Sequence, residues 1–169
     1  MLFVILGNID GIRSTVRAQK LKDDLNYLNC IVILGIIDNS SIKEHPLIDG
    51  QTVFQTADGN TTRLYIMPYQ KNQTMWQLSF LENDESRAIG VSQRGSGALK
   101  QVAIEKCAEW HDPIPTLLEN TPVELISGYP VYDRSMVPAE QFRKSNSRVT
   151  LIGDAARKYQ IKSYSHLKY

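Results

Sequence analysis

Two short apolar runs, one near each end of the chain, constrain the fold more than any other feature of the sequence. Residues 2–6 are all apolar and end at Gly7, while residues 149–152 are mostly apolar and end at Gly153. Apolar runs of this length are typical of strands buried on both faces, as in the parallel sheet of an α/β layer. The sequence therefore predicts a piece of α/β structure at each end of the chain.

The long segment between these runs is predicted to be mostly antiparallel sheet. Asp58 and Gly59 lie between two strand-like runs, and an Asp-Gly pair favours the backbone conformation of a tight hairpin turn. Further along, Trp76, Leu78 and Phe80 alternate with other residues in the period of two that indicates a strand with one buried face. The strands expected from such alternation or from β-branched residues are 30–37, 51–56, 61–67, 75–80 and 123–133.

Helical spacing follows the predicted hairpin strands. The apolar residues of segment 96–110 recur at intervals of three and four, which predicts an amphipathic helix, and a second short helix is expected between Pro113 and Glu119. The string GSGALK at 95–100 has Lys100 where a nucleotide-binding loop would carry its third glycine, and no strand precedes it. We interpret this string as the start of the first helix.

Composition and charge narrow the functional classes. The chain has 169 residues, 42% of them hydrophobic and 22% charged, as expected of one soluble globular domain. A net charge of +1 disfavours nucleic acid as the main partner. Cys30 and Cys107 have the spacing of neither a disulfide framework nor a zinc site. Because no apolar run is long enough to span a membrane, we expect a soluble, cytoplasmic protein.

The first candidate site is the turn after the first apolar run. The carboxylate of Asp10 can accept a hydrogen bond from a sugar or ribityl hydroxyl, and Gly11 allows a ligand to approach the backbone closely. Arg13 and Arg17 have the charge to neutralise phosphate. The alternative is an ordinary turn in which Ser14 caps a helix and both arginines are solvated.

The second candidate site is the turn after the last apolar run. Gly153 and Asp154 again place a carboxylate at the end of a strand, and Ala155 and Ala156 are too small to obstruct a ligand. Ligands of open α/β sheets bind beyond the carboxyl ends of the strands. Each turn alone favours an ordinary structural turn, but the two together carry more information than either does by itself.

The two turns lie in strings that resemble those of a known family. DGIRSTVR at 10–17 and RVTLIGDAA at 148–156 are similar, in content and in order, to the Asp-Gly and Gly-Asp motifs of the FAD-binding monooxygenases of the para-hydroxybenzoate hydroxylase type. The string PVYDR at 130–134 and the mostly β middle segment also look like the substrate domain of that family. The resemblance therefore covers most of the chain.

This resemblance implies a fold, a cofactor and a reaction. The expected fold class is α+β, with a mostly antiparallel middle sheet and packed helices, flanked by remnants of an α/β FAD-binding domain. Residues 1–17 and 148–160 would form the partial FAD-binding edge, 18–147 the substrate-type domain and 161–169 a polar tail. The implied function is that of an FAD-dependent monooxygenase, which uses NAD(P)H to hydroxylate a small organic or aromatic substrate.

The resemblance also implies which residues bind the flavin, and three departures from the family pattern affect that assignment. No G-x-G-x-x-G unit precedes Leu2, and Arg157 stands where the family continues with a histidine and then Pro and Gly residues. Ile9 is an additional residue that can redirect the carboxylate of Asp10. We therefore expect FAD binding to be incomplete in this chain. The implied FAD-binding residues are Asp10, Gly11, Arg13, Gly153, Asp154 and Ala155.

The sequence leaves two other functions open. The chain could be a non-catalytic binding domain derived from the flavoprotein middle domain, which associates through exposed strand edges. It could also be one part of an assembly in which a partner chain completes the flavin site. The remaining polar residues favour structure over function: His45, His111 and His166 are widely spaced, and Asp23 and Asp24 are expected in a turn that faces water.

Overall fold

A computed structural model of the chain describes residues 6–8, 11–21, 23–135, 140 and 149–156. The chain divides into two compact units, one of residues 29–131 and one that combines residues 1–28 with 132–169. The domain boundaries that the family resemblance implies, after residues 17, 147 and 160, remain predictions.

The described residues form strands, α-helices and short 3₁₀ turns. The strands are β1 (Leu6–Asn8), β2 (Asn26–Asp38), β3 (Phe54–Ala57), β4 (Arg63–Gln70), β5 (Gln73–Leu81), β6 (Ile126–Asp133) and β7 (Val149–Leu151). The helices whose bounds are described are α1 (Thr15–Leu21), α2 (Glu85–Gln93), α3 (Ser96–Lys106) and α4 (Ile114–Asn120). None of the described helices combines the length and the apolar character needed to cross a bilayer.

The larger unit is built on a five-stranded sheet in the order β3-β4-β5-β2-β6. The pairs β2–β5, β3–β4 and β4–β5 are antiparallel, which confirms the predicted middle sheet and its hairpin. In the hairpin turn Gly59 has a φ of +74°, and Oδ1 of Asp58 accepts hydrogen bonds from the backbone N–H groups of Asn60 and Thr62 at 2.8 and 3.0 Å. The hairpin is present, but its loop of residues 58–62 is longer than the predicted tight turn; Asp58 stabilises it through backbone hydrogen bonds and Gly59 supplies the positive φ.

One face of the sheet supplies the core of the larger unit. Every second residue of β5 from Thr74 to Phe80 is buried, and the residues between them are half-buried. The helices cover this buried face. Nε1 of Trp76 donates to Oγ1 of Thr121 at 2.9 Å, just after α4, and Nζ of Lys106 in α3 lies 4.9 Å from the ring centre of Phe80. The period-two pattern thus separates a helix-covered face from a half-exposed one.

Two of the three helices in this unit were predicted from sequence. α3 begins at Ser96, as the interpretation of segment 95–100 requires, but it ends at Lys106 because Cys107 already leaves the helical conformation. α4 matches the predicted short helix. Sequence reasoning missed α2, because only Ala88 and Val91 are buried on it and its apolar stripe is too thin to show periodicity.

The edge strand β6 lies very close to its neighbours. A Cβ on Gly128 would lie 2.9 Å from the carbonyl oxygen of Val32 and 2.9 Å from a methyl group of Leu99. The hydroxyl of Ser92 donates to the carbonyl of Gly128 at 2.9 Å, and the hydroxyl of Ser96 donates to the carbonyl of Ile126 at 2.7 Å. Two serines at the ends of α2 and α3 therefore fix the strand that leads toward residue 133.

The other unit contains a two-stranded parallel sheet, as expected from the two apolar runs. β1 pairs with β7 in the register Leu6 with Val149, Gly7 with Thr150 and Asn8 with Leu151. Residues 2–5 of the first predicted strand lie outside the described residues. The small residues after β7 form a 3₁₀ turn at Gly153–Ala155.

We expect Gly35→Ala to destabilise the larger unit. A Cβ at this position in β2 would overlap the indole ring of Trp76, 2.6 Å from Nε1, and the hydrogen bond to Thr121 holds that ring in place. Overpacking of this kind costs about 1–3 kcal/mol of unfolding free energy. Urea unfolding followed by circular dichroism measures the change. The matched control is Gly90→Ala in α2, where a Cβ meets no atom within 4 Å and the substitution should stabilise the helix by about 0.5–1 kcal/mol. Equal effects of the two alanines would contradict this account of Gly35.

Candidate functional site

The two predicted turns leave the same edge of the small parallel sheet. Because β1 and β7 run in the same direction with Asn8 opposite Leu151, their following turns both start at the carboxyl ends of adjacent strands. Gly11 and Gly153 have φ values of +72° and +61°, a conformation that favours glycine. Among the described residues, no atom lies within 4 Å of a Cβ built on either glycine, so these residues leave space beside the backbone of both turns.

The predicted site residues differ in accessibility. Asp154 is exposed and Ala155 is buried. Arg13 is exposed, and its guanidinium lies 5.5 Å from the ring centre of Tyr132, which in turn lies 5.6 Å from the ring centre of Tyr27. Asp10 lies outside the described residues, so its assignment remains a prediction. Of the predicted acidic pair, Asp154 is the carboxylate that the structure shows open to solvent.

Arg17 connects the two turns. Its side chain is 1% exposed, although it carries a charge. Its Nη1 donates to the carbonyl oxygen of Ala155 at 2.9 Å, and Nη2 donates to the carbonyl of Ser135 at 2.5 Å. Its Nε donates to the carboxylate of Asp23 at 2.9 Å, and Nη2 also contacts that carboxylate. The last residue of the DGIRSTVR string thus binds the backbone of the GDA turn directly.

A second arginine binds the same carboxylate. Nη1 of Arg134 donates to Oδ1 of Asp23 at 2.8 Å and to its carbonyl oxygen at 2.9 Å. Its Nε donates to the carbonyl of Ile12 at 2.6 Å, in the turn that follows β1. Arg134 directly follows β6 and is 7% exposed. Asp23 therefore lies between two largely buried guanidinium groups that come from opposite ends of this unit's sequence.

The environment of Asp23 keeps its carboxylate ionised. The hydrogen bond from Arg17 holds the pKa of the Asp23 carboxyl below its usual value, against the opposing effect of partial burial. The positive charges of Arg17 and Arg134 act in the same direction as that hydrogen bond. A carboxylate that accepts hydrogen bonds from two guanidinium groups stays ionised at neutral pH. Its role there is to hold the two arginines in place.

These contacts correct two interpretations made from the sequence. Arg17 is neither solvated nor placed to neutralise phosphate, because it is buried and donates to protein oxygens. Asp23 does not simply face water, because its carboxylate binds two arginines. The capping role proposed for Ser14 is confirmed: its Oγ accepts from the backbone N–H of Arg17 at 3.0 Å. The remaining functional alternative for this turn rests on Gly11 and Arg13 and on the prediction for Asp10.

Sequence reasoning missed Asp23 and Arg134 as parts of the site. Asp23 lies just after α1, where an acidic residue is usually a solvated loop residue; its partner Arg17 is six residues away, but the sequence does not show that Arg17 is buried. Arg134 lies in the PVYDR string, and the resemblance of that string to the family implies no role for the arginine. A contact between residues 23 and 134 has no local sequence signal. No group of three His, Cys, Asp or Glu in the described parts of the chain is arranged to bind a metal ion.

Comparison with known proteins agrees with the family resemblance. The sequence is 30% identical over 155 residues to the aurachin C monooxygenase/isomerase of Stigmatella aurantiaca, an alignment that covers 90% of this chain and 36% of that protein. Among solved structures, a protein of Photorhabdus luminescens described as an FAD-containing monooxygenase matches with a TM-score of 0.71 at 19% identity, over 94% of this chain and 46% of its own. The chain is thus similar in sequence to a monooxygenase/isomerase and shares its fold with an FAD-containing monooxygenase.

Two further solved structures share the fold. Klebsiella pneumoniae HpxO, solved with FAD and uric acid, matches with a TM-score of 0.66 at 17% identity, over 91% of this chain and 36% of its own. The 2,6-dihydroxypyridine-3-hydroxylase of Arthrobacter nicotinovorans matches with a TM-score of 0.63 at 18% identity, over 89% and 42% of the two chains. No protein-family profile matches the sequence. The chain spans about a third to a half of the length of these monooxygenases.

We expect Asp23→Asn to destabilise the chain in a pH-dependent way. Loss of the charge leaves buried Arg17 without its counterion, which costs roughly 3 kcal/mol, the lower end of the range for a buried pair because Asp23 is partly exposed. Since the folded-state pKa of Asp23 is depressed, its contribution is complete above about pH 4 and is lost as the pH falls further, through the folded-state value. Urea unfolding at neutral and acid pH measures this change.

The control is Asp24→Asn, the adjacent exposed carboxylate, which should change the unfolding free energy by no more than about 0.5 kcal/mol at either pH. The difference in unfolding free energy between the original chain and Asp23→Asn should be smaller at acid pH than at neutral pH. A difference of the same size at both pH values would contradict an ionised carboxylate at the centre of the cluster.

Proposed function

We propose that this chain contributes one side of the flavin site of an FAD-dependent monooxygenase. The observation that carries the proposal is the direct link between the two turns, in which Arg17 of one string donates to the carbonyl of Ala155 in the other. Two turns that follow adjacent parallel strands, with a shared internal anchor, can contact one extended ligand. The similarity to FAD-binding monooxygenases supports the identity of that ligand.

The described residues fit an FAD molecule. The exposed carboxylate of Asp154 can accept hydrogen bonds from the hydroxyls of the ribityl chain, and the open space beside Gly153 and Gly11 allows that chain to lie against the backbone. Arg13 is exposed and carries the charge to bind a pyrophosphate group. Asp10 is also one of the proposed FAD-binding residues. Ala155 contributes its small side chain and its position in the turn.

In this proposal the chain supplies position and polarity. Bound FAD would supply the redox chemistry of oxygen transfer, with NAD(P)H as the reductant. Asp154 would orient the flavin through its ribityl hydroxyls, and the positive φ values at Gly11 and Gly153 would keep both turns close to it. The partial FAD-binding edge of residues 1–17 and 148–160 is the part of the chain to which we assign this role.

The composition of the half-exposed face of the sheet favours a small organic or aromatic substrate. On this face the paired residues of β2 and β5 are Ile36 with Met75, Leu34 with Gln77 and Val32 with Ser79. All six are half-buried. A surface of aliphatic and thioether side chains with a few amide and hydroxyl groups binds apolar molecules that carry a limited number of polar substituents.

Two other roles are tested by the same experiment. The chain could serve as a non-catalytic binding domain, for which the edge strand β3 offers unpaired backbone groups. It could also bind FAD only together with a partner chain. Both alternatives predict no saturable FAD binding by the chain alone, whereas a flavin site whose described side is sufficient for contact predicts weak but saturable binding.

We expect the purified chain to quench the fluorescence of added FAD in a saturable titration, and Asp154→Ala to weaken this binding. Loss of a hydrogen bond to a charged group costs about 1.5–3 kcal/mol, which corresponds to roughly a tenfold to hundredfold higher Kd. The control is Glu109→Ala, an exposed carboxylate in the larger unit, which should leave the Kd unchanged. Unchanged binding by Asp154→Ala would reject that residue as a flavin contact, and no binding by the original chain would reject an autonomous site.

A further inference from the structure

The cluster around Asp23 is more elaborate than helix stabilisation requires. Two guanidinium groups share one carboxylate, and each also donates to a backbone carbonyl outside its own segment. Arg17 binds Ala155 in the turn after β7, while Arg134 binds Ile12 in the turn after β1. The two turns thus have separate arginine contacts that meet at a single acidic residue.

The chemistry of guanidinium explains why arginine occupies both positions. Its planar group offers five N–H donors in fixed directions, so one side chain can bind a carboxylate and a carbonyl at the same time with defined geometry. A lysine ammonium keeps the charge but holds its donors on a flexible stem, so it does not reproduce this divided contact. Since Arg17 is 1% exposed and Arg134 is 7% exposed, both contacts are largely shielded from water.

The carbonyl that Arg17 binds is adjacent to the proposed flavin contact. Ala155 follows Asp154 directly, so the hydrogen bond to the Ala155 carbonyl restrains the backbone that carries the Asp154 side chain. In the same way, Ile12 follows Gly11, so the contact from Arg134 limits the path of the backbone beside that glycine. Neither arginine needs to touch a ligand to influence how the two turns receive one.

We infer that Arg17, Asp23 and Arg134 form a two-armed clamp that positions the two turns for a shared ligand. Arg17 sets the turn of residues 153–156, Arg134 sets the turn of residues 11–14, and Asp23 couples them. These three are positioning residues, and their role toward FAD rests on the proposed function. The clamp itself makes a separate prediction about the backbone: each arginine protects its own turn.

Amide hydrogen exchange of the full chain tests the clamp without any ligand. The amide of Ala156 donates to the carbonyl of Gly153 at 3.0 Å, and the amide of Ser14 donates to the carbonyl of Gly11 at 3.1 Å, so each reports on one turn. Arg17→Lys should raise the exchange rate at Ala156 by about tenfold with a smaller change at Ser14, and Arg134→Lys should do the reverse. Arg87→Lys, an arginine exposed by 71%, should change neither rate.

The selectivity of these changes separates positioning from general stability. If both lysine variants raise the two rates equally, the clamp is a general stabilising cluster and the inference is wrong. Asp23→Glu adds a second measurement, since it keeps the charge but displaces the carboxylate, and it should raise both rates together. Should Arg17→Lys fail to fold, Arg134→Lys and Asp23→Glu still decide the matter.

FAD titration at a temperature where every variant is folded by circular dichroism tests the functional part. Arg17→Lys and Arg134→Lys should each raise the Kd for FAD by about tenfold, although neither residue is a proposed flavin contact. If each lysine variant raises the exchange rate of its own turn but leaves the Kd for FAD unchanged, the clamp has no role in FAD binding. The proposed flavin site would remain intact. Absence of FAD binding by the original chain would count against the proposed function, and the exchange rates would still decide the clamp.

Discussion

The buried charge of Arg17 is the constraint on which the smaller unit depends. A guanidinium removed from water is tolerated only where its donors find good acceptors, because an unpaired buried ion costs several kcal/mol. Arg17 meets this requirement with the carboxylate of Asp23 and with carbonyls of Ser135 and Ala155. These acceptors lie in three segments that are distant in sequence, so satisfying one charge fixes the positions of all three.

The larger unit is held by a different kind of constraint, which is steric. The absence of a side chain at Gly35 makes room for the indole of Trp76, and Thr121 accepts the indole N–H at the end of α4. Oγ1 of Thr121 in turn donates to the carbonyl of Leu117 at 2.7 Å, so the buried polar atoms of this contact are satisfied. Shape and hydrogen bonding together specify how α4 lies on the sheet, where hydrophobic burial alone would allow several arrangements.

Much of the fold was predictable because its signals are local. The β-branched run in β2, the Asp-Gly turn and the alternation in β5 each identify an element from neighbouring residues. α2 was missed because a short helix that buries two small residues gives no stripe. In the site, the two turns are predicted from motif resemblance, but the contact between Asp23 and Arg134 joins residues more than a hundred positions apart and has no local signal. Arg17 and Asp23 are only six residues apart, yet their pairing depends on the burial of Arg17, which the sequence alone does not show.

The parallel pairing of β1 with β7 has a consequence for how the molecule forms. The larger unit is continuous in sequence, whereas the smaller one is assembled from segments on both sides of it. β1 is synthesised long before β7, the strand with which it pairs. The sheet of the larger unit can fold before β7 has been made. Closing so long a loop is slow. The parallel pair of the smaller unit can therefore form only after residues 149–151 have been synthesised.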